Sequence, residues 1–204
     1  MSGAARASAA SRSRRLHLAA LTVTLACAAP VQAQDIGAPL LLNSDFGKPD
    51  IRVTAASIVQ SGTGNRARIE QTYAASADDA IFDPAGLGNI ASVSQTGFAN
   101  QVALTQDGNL NRARIVQNGD SNQASAAQAG AGNTLDVTQD GFGNSLLASQ
   151  NGVGNSIVLT QAGGNQATLS ETGNRNTIQV QQVPGGATVT VDLHGNNMAF
   201  SIRQ

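Results

Sequence analysis

Gln106-Asp107-Gly108-Asn109-Leu110-Asn111-Arg112-Ala113-Arg114-Ile115-Val116-Gln117 holds the unit from which this chain is built. A Gln is followed by a Gly two residues on and an Asn three further, and the next Gln comes after eleven. Outward from this stretch the Gln returns at Gln95, Gln128, Gln139, Gln150 and Gln161, the Gly at Gly97, Gly119, Gly130, Gly141, Gly152 and Gly163, and the Asn at Asn100, Asn122, Asn133, Asn144 and Asn155. One residue is then lost, giving Asn165, Glu171, Gly173, Asn176 and Gln182. A fixed period of this kind is the signature of stacked supersecondary units, each too small to bury a core alone.

Between each Asn and the following Gln the apolar residues fall on every second position, which is the period of a strand. Ala113 and Ile115, Leu135 and Val137, Ile157 and Leu159, and Ile178 and Val180 take the two central inward slots, and no charge enters those slots in any copy. The alternate slots carry Gln101 and Thr105, Arg112 and Arg114, or Thr134 and Asp136, with Leu147 and Val158 as apolar exceptions. By the same alternation the repeated Asn and Gln point inward at the two strand ends, where a buried amide must be paired. The four residues from each Gln to the next Asn are turn chemistry, with Gly supplying a positive φ.

One strand of about seven residues and a four-residue arc has a single apolar face, so the next copy must fold back against it and two elevens make one coil. Stacked at roughly 4.8 Å, such coils place every second copy in the same parallel sheet and lay like side chains above one another. Each Asn and Gln is then expected to donate to the amide of its counterpart one coil away. The expected fold is all-β, a two-sheet parallel β-solenoid of about fourteen strand-turn units in seven coils, roughly 34 Å tall at that spacing.

In chain order, residues 1–33 read as a secretory signal peptide: Arg6, Arg12, Arg14 and Arg15, the apolar Leu16 to Ala29, then the small-residue cleavage site Val31-Gln32-Ala33. Residues 34–54, with Pro39 and Pro49, read as an extended leader, and residues 55–204 as the solenoid. The repeat opens with Gln60, Gly62, Asn65 and Gln71, and then falters. Tyr73 stands where Gly belongs, two residues are inserted around Asp78 and Asp79, and Pro84 replaces the Gln. That copy is expected to bulge or fray, because proline cannot donate to a ladder. Toward the C terminus Leu193 takes a Gln slot and Met198 an Asn slot, with Phe200 and Ile202 inward, so the last coil is expected to be the least firmly stacked.

Composition narrows the function. The only cysteine, Cys27, lies within the signal peptide, so the remainder has neither disulfide nor Cys-ligated metal. Of twelve Lys and Arg, four lie in residues 1–33, whereas all thirteen acids lie beyond it, leaving a net charge near −5. That balance argues against nucleic acid as a partner. The pairs Arg66 with Arg68 and Arg112 with Arg114 suit a solvated strand face. His194 is a solitary turn residue, and Asp107, Asp120 and Asp140 lack the Gly-Gly-x-Gly-x-Asp order of calcium-binding rolls. Asp78, Asp79 and Asp83 read as an acidic surface loop, and Glu171 as an inward acid that reaches solvent at a strand end. No catalytic, cofactor or metal constellation breaks the repeat.

The units Gln60-Ser61-Gly62-Thr63-Gly64-Asn65-Arg66-Ala67-Arg68-Ile69-Glu70-Gln71 and Gln106 to Gln117 resemble the curlin repeat, Gln-x-Gly-x-x-Asn-x-Ala-x-x-x-Gln, and the resemblance runs over residues 56–204. It implies a secreted, non-enzymatic amyloid subunit of curli fibres on the bacterial surface, with other curlin subunits, a dedicated export pore, assembly factors and host or abiotic surfaces as partners. The Arg pairs and the ending Met198 to Gln204 are more similar to the minor, nucleating curlin than to the major one. The alternatives are the major curlin subunit, or a monomeric secreted solenoid that binds polysaccharide or a surface.

Overall fold

In a computed structural model of the chain, the described residues are 55–72 and 78–204. The signal peptide and leader read in residues 1–33 and 34–54 lie outside them, as does Tyr73. The strands are β1 (Ala55–Ile58), β2 (Ser61–Thr63), β3 (Arg66–Thr72), β4 (Asp79–Leu87), β5 (Ile90–Phe98), β6 (Gln101–Asn109), β7 (Arg112–Asp120) and β8 (Gln123–Ala131). They continue as β9 (Thr134–Phe142), β10 (Ser145–Val153), β11 (Ser156–Ala162), β12 (Gln166–Asn174), β13 (Thr177–Gln182), β14 (Thr188–Asn196) and β15 (Ala199–Arg203). Successive strands alternate between two parallel sheets. The first runs β1-β4-β6-β8-β10-β12-β14, with β2 also on β4, and the second runs β3-β5-β7-β9-β11-β13-β15. Each sheet is thus seven levels deep, and the expected all-β two-sheet parallel solenoid is borne out.

Register follows the sequence period. Gln106 pairs with Gln128 and Gln117 with Gln139, two elevens on. Across the lost residue Ser145 pairs with Gln166, and across the insertion Gln71 pairs with Gln95. Because Asp79 already pairs with Gln101 at the regular spacing, the two extra residues fall between Thr72 and Asp78. The copy expected to fray keeps a nine-residue β4 with Pro84 inside it. The interruption falls on the neighbouring level instead: Val59 and Gln60, the gap between β1 and β2, lie opposite Asp83 and Pro84. Proline has no N–H to give the strand beside it.

The core is a thin slab between the sheets, two apolar residues wide along each strand. Ile115, Leu135, Val137, Ile157, Leu159, Leu169, Ile178 and Val180 are essentially fully buried, and each such side chain contributes about 1.5–3 kcal/mol. Outward positions are exposed or half-buried, with Leu147 and Val158 among the exposed ones. Phe200 lies over Ile178 but stays 37% exposed, because among the described residues β15 has a neighbour only on the β13 side.

The turns differ from the expected four-residue arcs. Pairing continues through the glycine, so that Gly108 sits over Gly130 and the reversal from β6 to β7 is left to Leu110 and Asn111. A Cβ on Gly108 would overlap the Gly130 carbonyl oxygen, and Gly119 stands in the same relation to Gly141. Glycine is therefore demanded by the level above as much as by its own φ. A second left-handed residue follows two positions later and tolerates side chains, as at Ala99, Leu110, Ser121, Arg175 and Asn197. The Gly at positions 64, 88, 132, 143 and 154 was the sequence signal for it.

Candidate functional site

The repeated amides form the most regular chemistry in the molecule. In the second sheet the Nε2 of Gln71 donates to Oε1 of Gln95 (2.9 Å), Gln95 to Gln117 (3.0 Å), Gln117 to Gln139 (2.8 Å), Gln139 to Gln161 (2.9 Å) and Gln161 to Gln182 (3.0 Å). In the first sheet Gln106 donates to Gln128 (2.9 Å) and Gln128 to Gln150 (2.8 Å). Every donor points toward the C-terminal end of the stack. The second Nε2 hydrogen crosses the core to a backbone carbonyl of the opposite sheet, as from Gln128 to Arg112 (3.1 Å) and from Gln139 to Gln123 (2.9 Å). Each ladder Gln from Gln95 to Gln161 therefore ties its level to the next and one sheet to the other, whereas Gln182 donates only to the carbonyls of Gln166 (3.3 Å) and Ala187 (3.1 Å). Gln60, half-buried, faces Pro84, whose ring offers no amide to receive it.

The asparagines work differently from the amide-to-amide ladder expected of them. Oδ1 of Asn111 accepts the backbone N–H of Asn133 (3.0 Å), while its Nδ2 donates to the carbonyls of Asp107 (3.3 Å) and Gly130 (3.1 Å). Asn89, Asn100, Asn122, Asn133, Asn144, Asn155 and Asn176 likewise each accept the N–H one level on. So does Asn65, with Asn89 as donor (2.9 Å). Side-chain pairs occur as well between Asn122 and Asn100 (3.1 Å) and between Asn144 and Asn122 (3.0 Å). Because the acceptor takes a backbone N–H, the next residue need not be Asn. Asn165 holds Ala187 (2.8 Å) and Asn176 holds Met198 (3.1 Å), so the last level keeps this tie despite losing its Asn.

Turn glycines Gly62, Gly97, Gly108, Gly119, Gly130, Gly141, Gly152 and Gly173 have φ between 92° and 128°. Gly163 departs from them at φ 73°, because the lost residue shortens its turn and brings Pro184 beside it.

Two acids occupy amide slots, and both correct the sequence reading. Asp78 is buried in an Asn slot, outside any surface loop, with Oδ1 accepting the Asn100 N–H (2.8 Å). Burial pushes its carboxyl up to about 6 against the Asn100 hydrogen bonds, with a further push from Asp120. Glu171 does not reach solvent. It is fully buried, accepts from Gln150 Nε2 (2.9 Å), and burial raises its carboxyl to about 7. The buried side-chain atoms without a partner among the described residues are Asp78 Oδ2, Gln106 Oε1 and Glu171 Oε1, and all three mark places where a repeat residue was replaced.

Outside the slab three solvated pairs form, Arg114 with Asp136 (3.1 Å), Arg68 with Glu70 (2.7 Å) and His194 with Asp192 (2.9 Å). Such exposed pairs are worth about 0–1 kcal/mol. No group of three or more His, Cys, Asp or Glu gathers among the described residues.

Fold and amides together define a self-stacking β-solenoid repeat protein, in which each level is satisfied by a copy of itself. The model of the curlin associated repeat matches residues 99–130, 108–141 and 130–163, so the central part of the chain is similar to the curlin repeat. Comparison with curated proteins and with solved structures gives no match.

Proposed function

We propose that this chain is a secreted structural subunit of curli amyloid fibres, adding end to end to other curlin subunits. The similarity of residues 99–163 to the curlin associated repeat supports the amyloid-subunit role. The observation that carries the reading is the uniform direction and register of the Gln ladders. A strand of a second copy, laid on either sheet in the same register, meets the donors and acceptors that one level offers the next. The backbone ladders then continue across the junction, while in the first sheet the Gln ladder itself ends at Glu171 beneath Leu193. The proposed route is export through the curli pore with its assembly factors, and the proposed roles are nucleation of, or co-assembly with, a major curlin for adhesion to host or abiotic surfaces and for building biofilm matrix.

Incubation of the chain from residue 34 onward, followed by thioflavin fluorescence and fibre diffraction, tests the reading. Dye-positive fibres with a reflection near 4.8 Å along the fibre axis support it. A chain that stays monomeric and dye-negative at high concentration defeats it and favours a soluble solenoid. The nucleating role predicts that substoichiometric preformed fibres abolish the lag of a second curlin.

A further inference from the structure

Glu171 lies at the one place where the Gln ladder of the first sheet meets an acid. Its Oε2 does what a Gln Oε1 does, accepting the Nε2 hydrogen of Gln150 at 2.9 Å. Its Oε1 stands where a Gln would carry Nε2, and it has no partner. The Gln residues of this sheet aim that nitrogen at the carbonyl of the first residue of the preceding strand in the other sheet: Gln106 at Ile90 (3.2 Å), Gln128 at Arg112 (3.1 Å) and Gln150 at Thr134 (2.9 Å). For Glu171 the equivalent residue is Ser156, the first of β11. A carboxylic acid protonated on Oε1 has the missing donor, whereas a carboxylate brings two acceptors and a charge.

No ion offsets that charge. Gln150 on β10 lies on one side of Glu171 and Leu193 on β14 on the other. β10, β11 and β13 carry no charged residue, and β12 carries none besides Glu171. The titratable side chains of β14, Asp192 and His194, are exposed, as is Arg175 in the turn after β12. Asp78 repeats the arrangement in an Asn slot, with Oδ1 used and Oδ2 unpartnered.

We propose that Glu171 is a proton-operated joint in the ladder, which seats β14 on β12 when protonated and loosens β14 when ionised. Burial holds the carboxyl near 7, above its ordinary value. A raised native value means that the seating is complete below the ordinary Glu range and is lost as pH rises through about 7. The joint belongs to the fold of a single chain and does not depend on fibre formation.

Hydrogen exchange by mass spectrometry on the full chain tests it, comparing β14 with β8 as internal reference at pH 5 and pH 8 after correction for intrinsic rates. In the wild type the protection of β14 relative to β8 should fall roughly tenfold or more from pH 5 to pH 8, since each unit by which the native pKa is raised corresponds to a factor of about ten. In Glu171→Gln, which carries the amide permanently, the ratio should change less than about twofold and stay at the wild-type pH 5 level. Asp78→Asn should leave the β14 ratio at its wild-type pH dependence. A wild-type ratio that does not move with pH, or the same fall in Glu171→Gln, overturns the proposal, and an unprotected β8 overturns it together with the fold. Carboxyl NMR assigned by difference against Glu171→Gln is a second measurement, and titration of Glu171 in the ordinary Glu range also overturns it.

Discussion

Pro84 lies directly opposite Gln106 in the parallel register of β4 and β6, and Gln106 Oε1 has no hydrogen-bond donor. At the next two levels the same oxygen takes the Nε2 hydrogen of the Gln below it, Gln106 for Gln128 and Gln128 for Gln150. Proline has no such group. Pro84→Gln should return the donor and an N–H for the strand at Gln60, stabilising the chain by about 1 kcal/mol. The expected readout is a higher urea midpoint with an unchanged slope. An unchanged midpoint would mean that the orphaned oxygen costs nothing.

Two glycines separate conformational cost from steric overlap. Gly132 has φ 67° and nothing within 4 Å of an added Cβ, whereas Gly119 has φ 102° and a Cβ there overlaps the Gly141 carbonyl. Gly132→Ala should cost about 1 kcal/mol, the ordinary penalty of a left-handed residue. Gly119→Ala should cost at least about 3 kcal/mol, since backbone of the next level must move. Equilibrium unfolding of the two variants side by side decides it, and equal losses would rule out the stacking account of the glycines.

Buried amides should outweigh exposed ones of the same chemistry. Gln139 accepts from Gln117 and donates to Gln161 and to the Gln123 carbonyl, and Asn144 bonds Asn122, Asp140 and the Asn165 N–H. Gln101 is exposed. Gln139→Ala or Asn144→Ala should cost about 1–3 kcal/mol for each partner left unpaired and lengthen the assembly half-time. Gln101→Ala should do neither, and comparable half-times for all three variants would contradict the assignment of faces.

Asp78 makes stability depend on pH in a calculable direction. Its native carboxyl sits at about 6 against an ordinary value of 3.8, so its contribution is whole below about 4 and is lost as pH rises through about 6. Asp78→Asn replaces the unpartnered oxygen with an amide nitrogen and removes the titration. The variant should match the wild type at pH 4 and exceed it at pH 7.5 by up to about 3 kcal/mol. Parallel unfolding curves at the two pH values measure the difference, and a wild type as stable at pH 7.5 relative to the variant as at pH 4 would refute it.

The period of eleven was enough to define the solenoid, because every level meets the same neighbours and a linear repeat therefore becomes a spatial register. Alternation about Ala113 and Ile115 set the inward face. A slip of one residue would expose that whole face, so Gln117 and Asn111 had to point inward as well. Tertiary structure alone decided which atoms meet, since each partner sits one level away and some 22 residues along the chain. That distance is why Asn111 bonds a backbone N–H in place of another side-chain amide, and why the carbonyl of Gly141 forbids a side chain at Gly119. It also explains the two misread acids. Asp78 became an Asn-slot residue once the insertion fell between Thr72 and Asp78, and Glu171 lost its route to water because Leu193 lies beside it. Local pattern reports the face a residue presents; the level stacked upon it decides whether its polar atoms find partners.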